Sequence, residues 1–398
     1  MTSAEPGGSL AREPEVAQCA KEDFLAILSH ELRSPLSTVL AWVRMLRSGR
    51  LDHAQQDRAL DAIERSTRVQ VGLIDDVLDI SRINAGKLTL EPATVDLGRV
   101  VGAAVEAARA AADGNGVELH YTASPAPILI GADGARLRQV IGNLVSNGIE
   151  STSAGGSVTV ELERRPDRVQ MVVRDTGRGI PPESLPHVFD AFQDGGPATR
   201  RRGLGVGLAI ARHLVELHGG TIVAESPGDG KGTTFRITLP LETSAPPEQA
   251  PPEADRTTAS PEEADLRGVR VLIVDDDPDA RELMATILAA CGAEVSLAAS
   301  AMEALDVLQL GTPDVFISDI AMPDADGYAL LRRIRAPDTG DRGLVPAIAV
   351  TAHAGPTGRR HALAAGYQLH LGKPFEPAEL VAAVAGLARS GSSGDLAG

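Results

Sequence analysis

The chain has 398 residues, of which 43% are hydrophobic, 23% are charged and only 3% are aromatic, and its formal net charge is −16. This composition is typical of a globular protein of two or three domains whose cores are built from aliphatic side chains. The negative charge argues against nucleic acid as a direct partner, because contacts with phosphate groups need a concentrated positive face.

Residues 1–20 are polar and acidic and lack the apolar core of a signal peptide, so we expect a disordered tail there. No run of about 18 apolar residues, enough to cross a bilayer, occurs in the sequence. Cys19 and Cys291 lie in segments predicted to belong to separate folded units, which disfavours a disulfide. We therefore predict a cytoplasmic protein without a membrane span.

Residues 21–90 show the periodicity of two amphipathic helices, separated by a turn near Ser48 and Gly49. The apolar stripe of the first comprises Leu25, Leu28, Leu32, Leu36, Val39, Val43 and Leu46, and that of the second comprises Leu60, Ile63, Thr67, Val71, Ile74 and Leu78. Because a single helical hairpin buries little apolar surface, we predict a homodimer in which two hairpins form a four-helix bundle.

His30 projects from the first helix on the side nearly opposite its apolar stripe. An imidazole held in solvent keeps a ring nitrogen that can attack phosphorus, and Glu31 beside it could accept the ring proton. A lone histidine on such a helix is more often an ordinary solvated side chain. The chemical interpretation therefore depends on motifs further along the chain.

Residues 91–241 alternate between helical patterns and short strands. The strands are predicted at residues 117–122, 157–163, 168–175, 220–225 and 233–240. This pattern predicts an α/β sandwich with helices on one face of a mixed or antiparallel sheet.

Three glycine-bearing elements in this segment indicate a nucleotide site. They contain Asp175, Gly177 and Gly179 after a strand, Gly203, Gly205 and Gly207 at the start of a helix, and Gly232 and Thr233 between two strands. Glycine lets the backbone approach a ligand closely, and a helix N-terminus offers unpaired amides to phosphate oxygens. The spacing fits neither a dinucleotide-binding fingerprint nor a P-loop. Each glycine pair alone is also compatible with a simple turn.

Asn143 and Asn147 lie four residues apart on a predicted helix, so their side-chain amides share one face. Amide oxygens are suitable ligands for Mg²⁺, which commonly binds through few protein groups together with substrate phosphates. The alternative, two asparagines on a helix surface, would leave the order of the surrounding motifs unexplained.

That order resembles the histidine kinase family over residues 21–241. Residues 30–36 are similar to its H-box, residues 143–147 to its N-box, residues 175–179 to its G1 box, Phe189 and Phe192 to its F-box, residues 203–207 to its G2 box and residues 230–235 to its last glycine box. The resemblance implies a protein-histidine kinase that uses ATP and Mg²⁺ to phosphorylate His30. It further implies that Asp175 binds the adenine amino group, that Asn147 binds Mg²⁺ and that residues 193–202 form a mobile lid.

One departure from the family follows the second asparagine. Where the family usually carries a lysine and an aromatic residue, this chain has Glu150 and Ser151. A carboxylate near a polyphosphate repels it, although Arg200, Arg201 and Arg202 in the lid could offset that charge. We therefore expect slow autophosphorylation.

Residues 242–266 are crowded with Pro, Ala, Glu, Ser and Thr, which predicts a disordered linker. Residues 267–389 contain continuous apolar runs alternating with helical patterns, which indicates a doubly wound parallel α/β domain. The runs are residues 269–274, 315–318, 347–350 and 369–371. Residues 390–398 are predicted to be a disordered tail.

Charged and polar residues follow these apolar runs: Asp275 and Asp276 the first, Asp319 the second, Thr351 the third and Lys373 the fourth. In doubly wound sheets the carboxyl ends of the strands share one rim, where ligands bind. Clustered carboxylates favour Mg²⁺. A carboxylate beside that ion can act as a nucleophile towards phosphorus, with Thr351 and Lys373 placed to hold the phosphoryl oxygens.

This set resembles the receiver domain of response regulators over residues 267–388. The resemblance implies a phosphoacceptor (Asp319), two further metal ligands (Asp275 and Asp276) and two switch residues (Thr351 and Lys373). His370 stands where the family often has Tyr or Phe, so the resemblance does not extend to the signalling movement of that side chain, whereas the phosphorylation chemistry is expected to be unaffected.

Together the motifs resemble a hybrid histidine kinase, which would phosphorylate His30 from ATP and pass the phosphoryl group to Asp319 of its own receiver. The implied partners are a downstream histidine phosphotransfer protein or response regulator and an upstream sensory partner. Because about 20 residues ahead of the first helix are too few for a sensory domain, the controlling element is expected either to bind from outside or to belong to a longer parent chain. Two alternatives remain. One is a weakly active or inactive kinase serving as a dimeric scaffold or phosphate sink for another kinase, and the other is an ATPase of the wider family in which His30 has no role.

Overall fold

The computed structural model describes the backbone of residues 12–124, 126–191, 205–241, 265–323, 326–336, 344–351 and 356–392. Within those ranges it describes side chains from residue 27 to residue 389, apart from residues 356 and 357. The chain divides into two compact units, Met1–Glu248 and Gln249–Gly398. In the described part of the chain, no helix combines the length and the apolar character needed to cross a membrane.

Two long helices form the hairpin: α1, Arg12–Arg47, and α2, His53–Asn84. The chain turns between them at the predicted position. Asp52 caps α2, because its carboxylate accepts a hydrogen bond from the Gln55 amide while the Gln55 side chain accepts one from the Asp52 amide. The structure differs from the prediction over residues 12–20, where α1 has already begun, since Arg, Glu, Ala and Gln in this stretch favour a helix.

The rest of the first unit layers helices on a mixed sheet. Its strands are β1 (Ala93–Asp96), β2 (Glu118–Ala123), β3 (Leu129–Ala132), β4 (Ser157–Arg164), β5 (Arg168–Asp175), β6 (Thr221–Glu225) and β7 (Thr234–Pro240), and its helices are α3 (Leu97–Asn115), α4 (Gly134–Ser151) and α5 (Gly207–Leu217), with a 3-10 turn at Leu185–His187. The described strands of the main sheet follow the order β2-β4-β5-β7-β6, with only β2 and β4 parallel. This confirms the predicted α/β sandwich. The short antiparallel pair of β1 and β3 was not predicted.

One hydrophobic core joins the hairpin to this sandwich. Leu73, Ile80 and Leu88 are buried in the same cluster as side chains of α3, α4, α5 and the sheet, among them Leu137, Leu144, Ile210, Leu214 and Phe235. Burying a Leu, Ile or Phe side chain contributes roughly 1.5–3 kcal/mol. The hairpin is therefore part of a compact unit with the sandwich.

The second unit is the doubly wound domain. It contains β8 (Arg270–Val274), α6 (Pro278–Ala290), β9 (Glu294–Ala298), α7 (Ala301–Leu310), β10 (Val315–Asp319), α8 (Gly327–Ile334), β11 (Ala347–Thr351), α9 (Pro356–Ala364), β12 (Leu369–Gly372) and α10 (Pro377–Ser392). The described strands pair in parallel in the order β12-β11-β10-β8-β9. Successive residues of the central strands point to opposite faces of the sheet and belong to two separate cores. In β10, for example, Phe316 lies in one core and Ile317 in the other. This confirms the predicted fold.

Three details of this unit differ from the prediction. The edge strand β9 was missed because polar and apolar residues alternate in its first four positions, Glu294 to Leu297, instead of forming a continuous apolar run. Leu266, assigned to the linker, is buried in the core, where its apolar side chain packs with the strands. α10 continues to Ser392, beyond the predicted boundary at residue 389. The remainder of the predicted linker, residues 242–264, lies outside the described residues.

Candidate active site

His30 lies in α1, and its side chain is 81% exposed. On the opposite side of the helix, Leu28 and Leu32 pack against the hydrophobic core, so the predicted separation of the imidazole from the apolar stripe is found. Nδ1 of His30 lies 3.3 Å from Oε1 of Glu31. A proton on Nδ1 would therefore face the carboxylate, which leaves the lone pair on Nε2 pointing to solvent.

Asp175 ends β5 and is buried. Its Oδ1 accepts hydrogen bonds from the backbone amides of Gly177 (2.9 Å) and Thr233 (3.1 Å). Burial raises the pKa of the carboxyl group, and the two amides and the Arg178 charge lower it only in part. The Asp175 carboxylate therefore connects the first and the third predicted glycine elements through hydrogen bonds.

The glycines of these elements allow close approach between backbone segments. A Cβ atom at Gly177 would overlap the carbonyl oxygen of Ser151, one at Gly179 that of Gly228, and one at Gly232 that of Asp175. Sequence reasoning assigned this space to a ligand. In the structure, the loops instead pack against one another in this space, beside Asp175.

Asn143 and Asn147 both lie on α4 and are partly buried. The side-chain amide of Asn143 donates to the carbonyl oxygen of Gly207, 2.9 Å away, at the start of α5. This bond brings the second glycine element against the asparagine face. Asn147 lies one turn further along, and Glu150 is exposed near the end of the helix.

Two predicted features, the F-box and the second glycine element, lie only partly within the described residues. Phe189 packs edge-on against Phe235, with 6.1 Å between ring centroids, and the guanidinium of Arg212 lies 5.9 Å above the Phe189 ring. Gly203, Phe192 and the predicted lid, residues 193–202, lie outside the described residues.

A polar contact that sequence reasoning missed joins α2 to α4. Oδ2 of the buried Asp79 accepts hydrogen bonds from Arg136 (2.7 Å) and from the side chain of Gln139 (2.8 Å). Gln139 and Asn143 are four residues apart and share a face of α4. The hairpin is therefore connected directly to the helix that carries the asparagines.

In the second unit, the carboxyl ends of the strands bring the predicted acidic residues together. Asp275 is fully buried, Asp319 is buried and Asp276 is exposed. The ammonium group of Lys373 lies 2.6 Å from Oδ2 of both Asp275 and Asp319. Burial alone would lower the pKa of Lys373, but its hydrogen bonds and charge contacts with the two aspartates outweigh burial and raise the pKa above its ordinary value.

The acidic cluster fits a hard divalent cation. One oxygen from each of Asp275, Asp276 and Asp319 lies within 4.8 Å of the others, close to the distance of about 4 Å between opposite ligands of one Mg²⁺. A single ammonium group faces three carboxylates among the described residues, so the cluster retains negative charge. Its donor set and charge therefore suit Mg²⁺.

Thr351 and His370 lie on the neighbouring strands β11 and β12. Thr351 ends β11, and its carbonyl oxygen accepts a hydrogen bond of 2.7 Å from the Lys373 amide. His370 in β12 has a buried Nε2 atom without a hydrogen-bond partner among the described residues. Burial and the charge of Arg359 lower its pKa, which favours the neutral ring.

Three domain families match the chain in order. Residues 20–86 match the His Kinase A (phospho-acceptor) domain, residues 132–243 the histidine kinase-, DNA gyrase B- and HSP90-like ATPase, and residues 271–385 the response regulator receiver domain. A phospho-acceptor domain, an ATPase domain and a receiver domain in this order define the class of hybrid sensor kinases. The chain has the domain order of a hybrid histidine kinase.

Individual relatives align with most of the chain. The chain is 31% identical to the sensory/regulatory protein RpfC of Xanthomonas campestris pv. campestris over 407 residues, which cover 95% of this chain and 56% of RpfC. It is 30% identical to the sensor protein EvgS of Escherichia coli (strain K12) over 364 residues, which cover 90% of this chain and 30% of EvgS. The crystal structure of full-length ShkA in complex with AMPPNP is 29% identical and covers 91% of this chain and 71% of ShkA, with a TM-score of 0.42. The chain thus spans only part of the length of these curated relatives.

Proposed function

We propose that the protein is an ATP-dependent histidine kinase that phosphorylates His30 and transfers the phosphoryl group to Asp319 of its own receiver domain. The observation that carries the proposal is the ring of His30, 81% exposed on a helix whose other side packs on the core shared with the ATPase domain. Relatives named as sensor or sensory/regulatory proteins align with 90% and 95% of the chain.

In the first step, Nε2 of His30 attacks the γ-phosphorus of ATP. The N–P bond forms, the bond from phosphorus to the bridging oxygen breaks, and ADP leaves with that electron pair. Glu31 accepts a hydrogen bond from the Nδ1 proton and stabilises the positive charge that the ring acquires. The remaining task of the protein is positioning and charge neutralisation.

The residues around Asp175 would hold the nucleotide. Because Oδ1 already accepts two backbone amides, Oδ2 is the oxygen that would accept the adenine amino group. Backbone amides near Gly205 and Gly207, at the start of α5, suit phosphate oxygens. Asn147 would offer an amide oxygen to Mg²⁺, which neutralises phosphate charge when bound.

In the second step, a carboxylate oxygen of Asp319 attacks the phosphorus on His30. The O–P bond forms, the N–P bond breaks and neutral imidazole leaves. Lys373 already lies beside Asp319, and together with Thr351 it would hold the phosphoryl oxygens. Asp275 and Asp276, with Asp319, would hold Mg²⁺, which neutralises the charge of the incoming group.

The hairpin, residues 21–90, would form the homodimer. A set of large apolar side chains remains exposed on the single chain: Leu36, Leu40, Val43, Met45, Leu60, Ile74 and Leu78. Such a stripe is typical of an interface, and a second hairpin would cover it in a four-helix bundle. A downstream histidine phosphotransfer protein or response regulator and an upstream sensory partner complete the proposed pathway. The cytoplasmic location stays a prediction.

Glu150 favours a second candidate function, a dimeric scaffold or phosphate sink with a weak kinase site. It is exposed near the end of α4, three residues after Asn147, where a carboxylate would repel the polyphosphate. In this case Asp319 would accept phosphoryl groups from another kinase.

Labelling with ATP that carries a radioactive γ-phosphate tests these proposals. We expect the wild type to carry an acid-labile label on His30 and a base-labile label on Asp319, Asp319→Asn to keep only the first, and His30→Gln to carry neither. Label on Asp319 only after addition of another histidine kinase would support the phosphate sink. ATP hydrolysis that persists in His30→Gln, with no label on the wild type, would support the ATPase alternative and overturn the kinase proposal.

The contribution of Glu150 can be measured separately. We expect Glu150→Lys to accelerate labelling of His30 about tenfold, because the substitution replaces a repulsive charge with an attractive one. Glu161→Lys, an exposed position on β4, controls for the change in net charge. An unchanged or lower rate in Glu150→Lys would contradict the proposed repulsion.

A further inference from the structure

The turn of α1 that follows His30 contains a proline. Pro35 lies inside the helix and has no N–H to donate to the carbonyl group four residues earlier, and its ring crowds the preceding turn. The backbone between His30 and Pro35 is therefore the weakest part of the helix that carries the acceptor ring.

Gln70 on α2 contacts this turn. Its side-chain Nε2 donates a hydrogen bond of 3.2 Å to the carbonyl oxygen of Leu32, and both residues are partly buried between the helices. A partly buried amide needs such a partner. Thr38 adds a second side-chain bond in the same region, from its hydroxyl to the carbonyl oxygen of Ser34 at 3.3 Å.

The position of Leu32 gives this contact a consequence for His30. Leu32 comes two residues after His30 and packs towards the core, while the His30 ring points to solvent. A bond that fixes the Leu32 carbonyl fixes the rotation of this turn about the helix axis. It thereby fixes the direction in which the ring projects.

We propose that Gln70 is a positioning residue for phosphorylation of His30: its hydrogen bond to Leu32 supports the turn that Pro35 weakens and aims the imidazole at the γ-phosphate. The inference rests on the proposed kinase function. In-line attack depends on accurate placement of the reacting atoms, so loss of the bond should lower the rate of phosphoryl transfer without weakening the binding of ATP.

The test compares Gln70→Met with Gln56→Met in the full chain carrying Asp319→Asn, so that label stays on His30. Gln56 is a matched control, because it also lies on α2, is partly buried and donates its side-chain amide to a backbone carbonyl, that of Leu51, at 3.0 Å. We expect Gln70→Met to lower the labelling rate at saturating ATP about fivefold, as loss of one ordinary hydrogen bond would. The ATP concentration for half-maximal rate should change less than twofold, and Gln56→Met should change neither quantity.

Two further variants address packing and mechanism. Gln70→Glu keeps the shape of the side chain but loses its N–H donors, so we expect the same loss of rate as in Gln70→Met. In a Pro35→Ala background, where the helix regains its missing donor, Gln70→Met should lower the rate less than twofold.

Three results would overturn the inference: a wild-type rate in Gln70→Glu, equal losses in Gln70→Met and Gln56→Met, or an undiminished effect of Gln70→Met beside Pro35→Ala. Failure of the kinase proposal is distinguishable from all of these. In that case the Asp319→Asn parent, with Gln70 intact, would itself remain unlabelled.

Discussion

The carboxylate of Asp79 on α2 and the guanidinium of Arg136 on α4 form an ion pair of 2.7 Å at the contact between the hairpin and the ATPase domain. The Asp79 side chain is only 5% exposed, so Arg136 and Gln139 provide the hydrogen bonds that replace those lost to water. Because α4 also carries Asn143 and Asn147, the pair connects the phospho-acceptor hairpin with the nucleotide-binding helix.

Removal of the cation should be strongly destabilising. We expect Arg136→Met to lower the free energy of unfolding by about 3 kcal/mol, because it leaves a buried carboxylate without its partner. Arg138→Met, at an exposed position on the same helix, should change it by less than about 0.5 kcal/mol. Urea denaturation measures both, and equal effects would contradict the importance of the pair. The double variant Asp79→Leu with Arg136→Met should recover most of the loss.

Gly230 and Gly232 offer a matched test of the glycine packing. Both have positive φ angles, +72° and +74°, but a Cβ at Gly230 would meet no atom within 4 Å, whereas one at Gly232 would overlap the Asp175 carbonyl oxygen. We expect Gly230→Ala to cost about 1 kcal/mol of stability, from backbone strain alone. Gly232→Ala should cost about 3 kcal/mol and weaken ATP binding at least tenfold, since Asp175 would shift. Calorimetric titration with ATP that gave the same affinity for both variants would refute this explanation.

Lys373 competes with a cation for the acidic cluster. Lys373→Met removes the ammonium group between Asp275 and Asp319, so we expect Mg²⁺ to bind about tenfold more tightly in the absence of nucleotide. Labelling of Asp319 should nevertheless fall at least tenfold, because the phosphoryl oxygens lose a positive partner. Mg²⁺ titration calorimetry and labelling measure the two effects, with the exposed Lys87→Met as control. Weaker Mg²⁺ binding in Lys373→Met would show that charge competition is not the dominant effect.

Asp76 on α2 should make the stability of the first unit depend on pH. Burial, and then the charges of Asp79 and Asp75, raise its pKa from 3.8 to about 6. Between these values the folded chain binds a proton that the unfolded chain has lost, so the free energy of unfolding falls as pH rises and stays lower above about pH 6.

The variant Asp76→Asn lacks this ionisation. It should be about 1 kcal/mol more stable than the wild type at pH 8 and equally stable near pH 3.5. Asp61→Asn, at an exposed position earlier in α2, controls for the loss of one negative charge. Thermal unfolding across pH measures the difference, and a gain in stability that is the same at both pH values would exclude Asp76 as the source.

The convergence of Asp275, Asp319 and Lys373 could be predicted because parallel strands place their carboxyl ends on one rim. The exposure of His30 could be predicted for a similar reason, since helical periodicity determines which side of α1 is apolar. In both cases the regular geometry of one kind of element was sufficient.

Contacts between elements could not be predicted in this way. Periodicity places Gln70 on a face of α2 and Arg136 on a face of α4, but it does not identify Leu32 or Asp79 as their partners. The glycine motifs likewise indicated close approach of the backbone without revealing that Gly232 approaches the carbonyl of Asp175. Such pairings depend on the packing of residues that are distant in sequence.

The core shared by the hairpin and the sandwich has a consequence for dissecting the molecule. Cutting the chain after residue 90 would remove Leu73, Ile80 and Leu88 from the shared core. The apolar side chains that these residues cover would then be exposed to solvent on the truncated fragment. An isolated ATPase fragment should then aggregate at concentrations where the intact chain forms only the proposed dimer, so activities measured on separated pieces would describe an aggregating species.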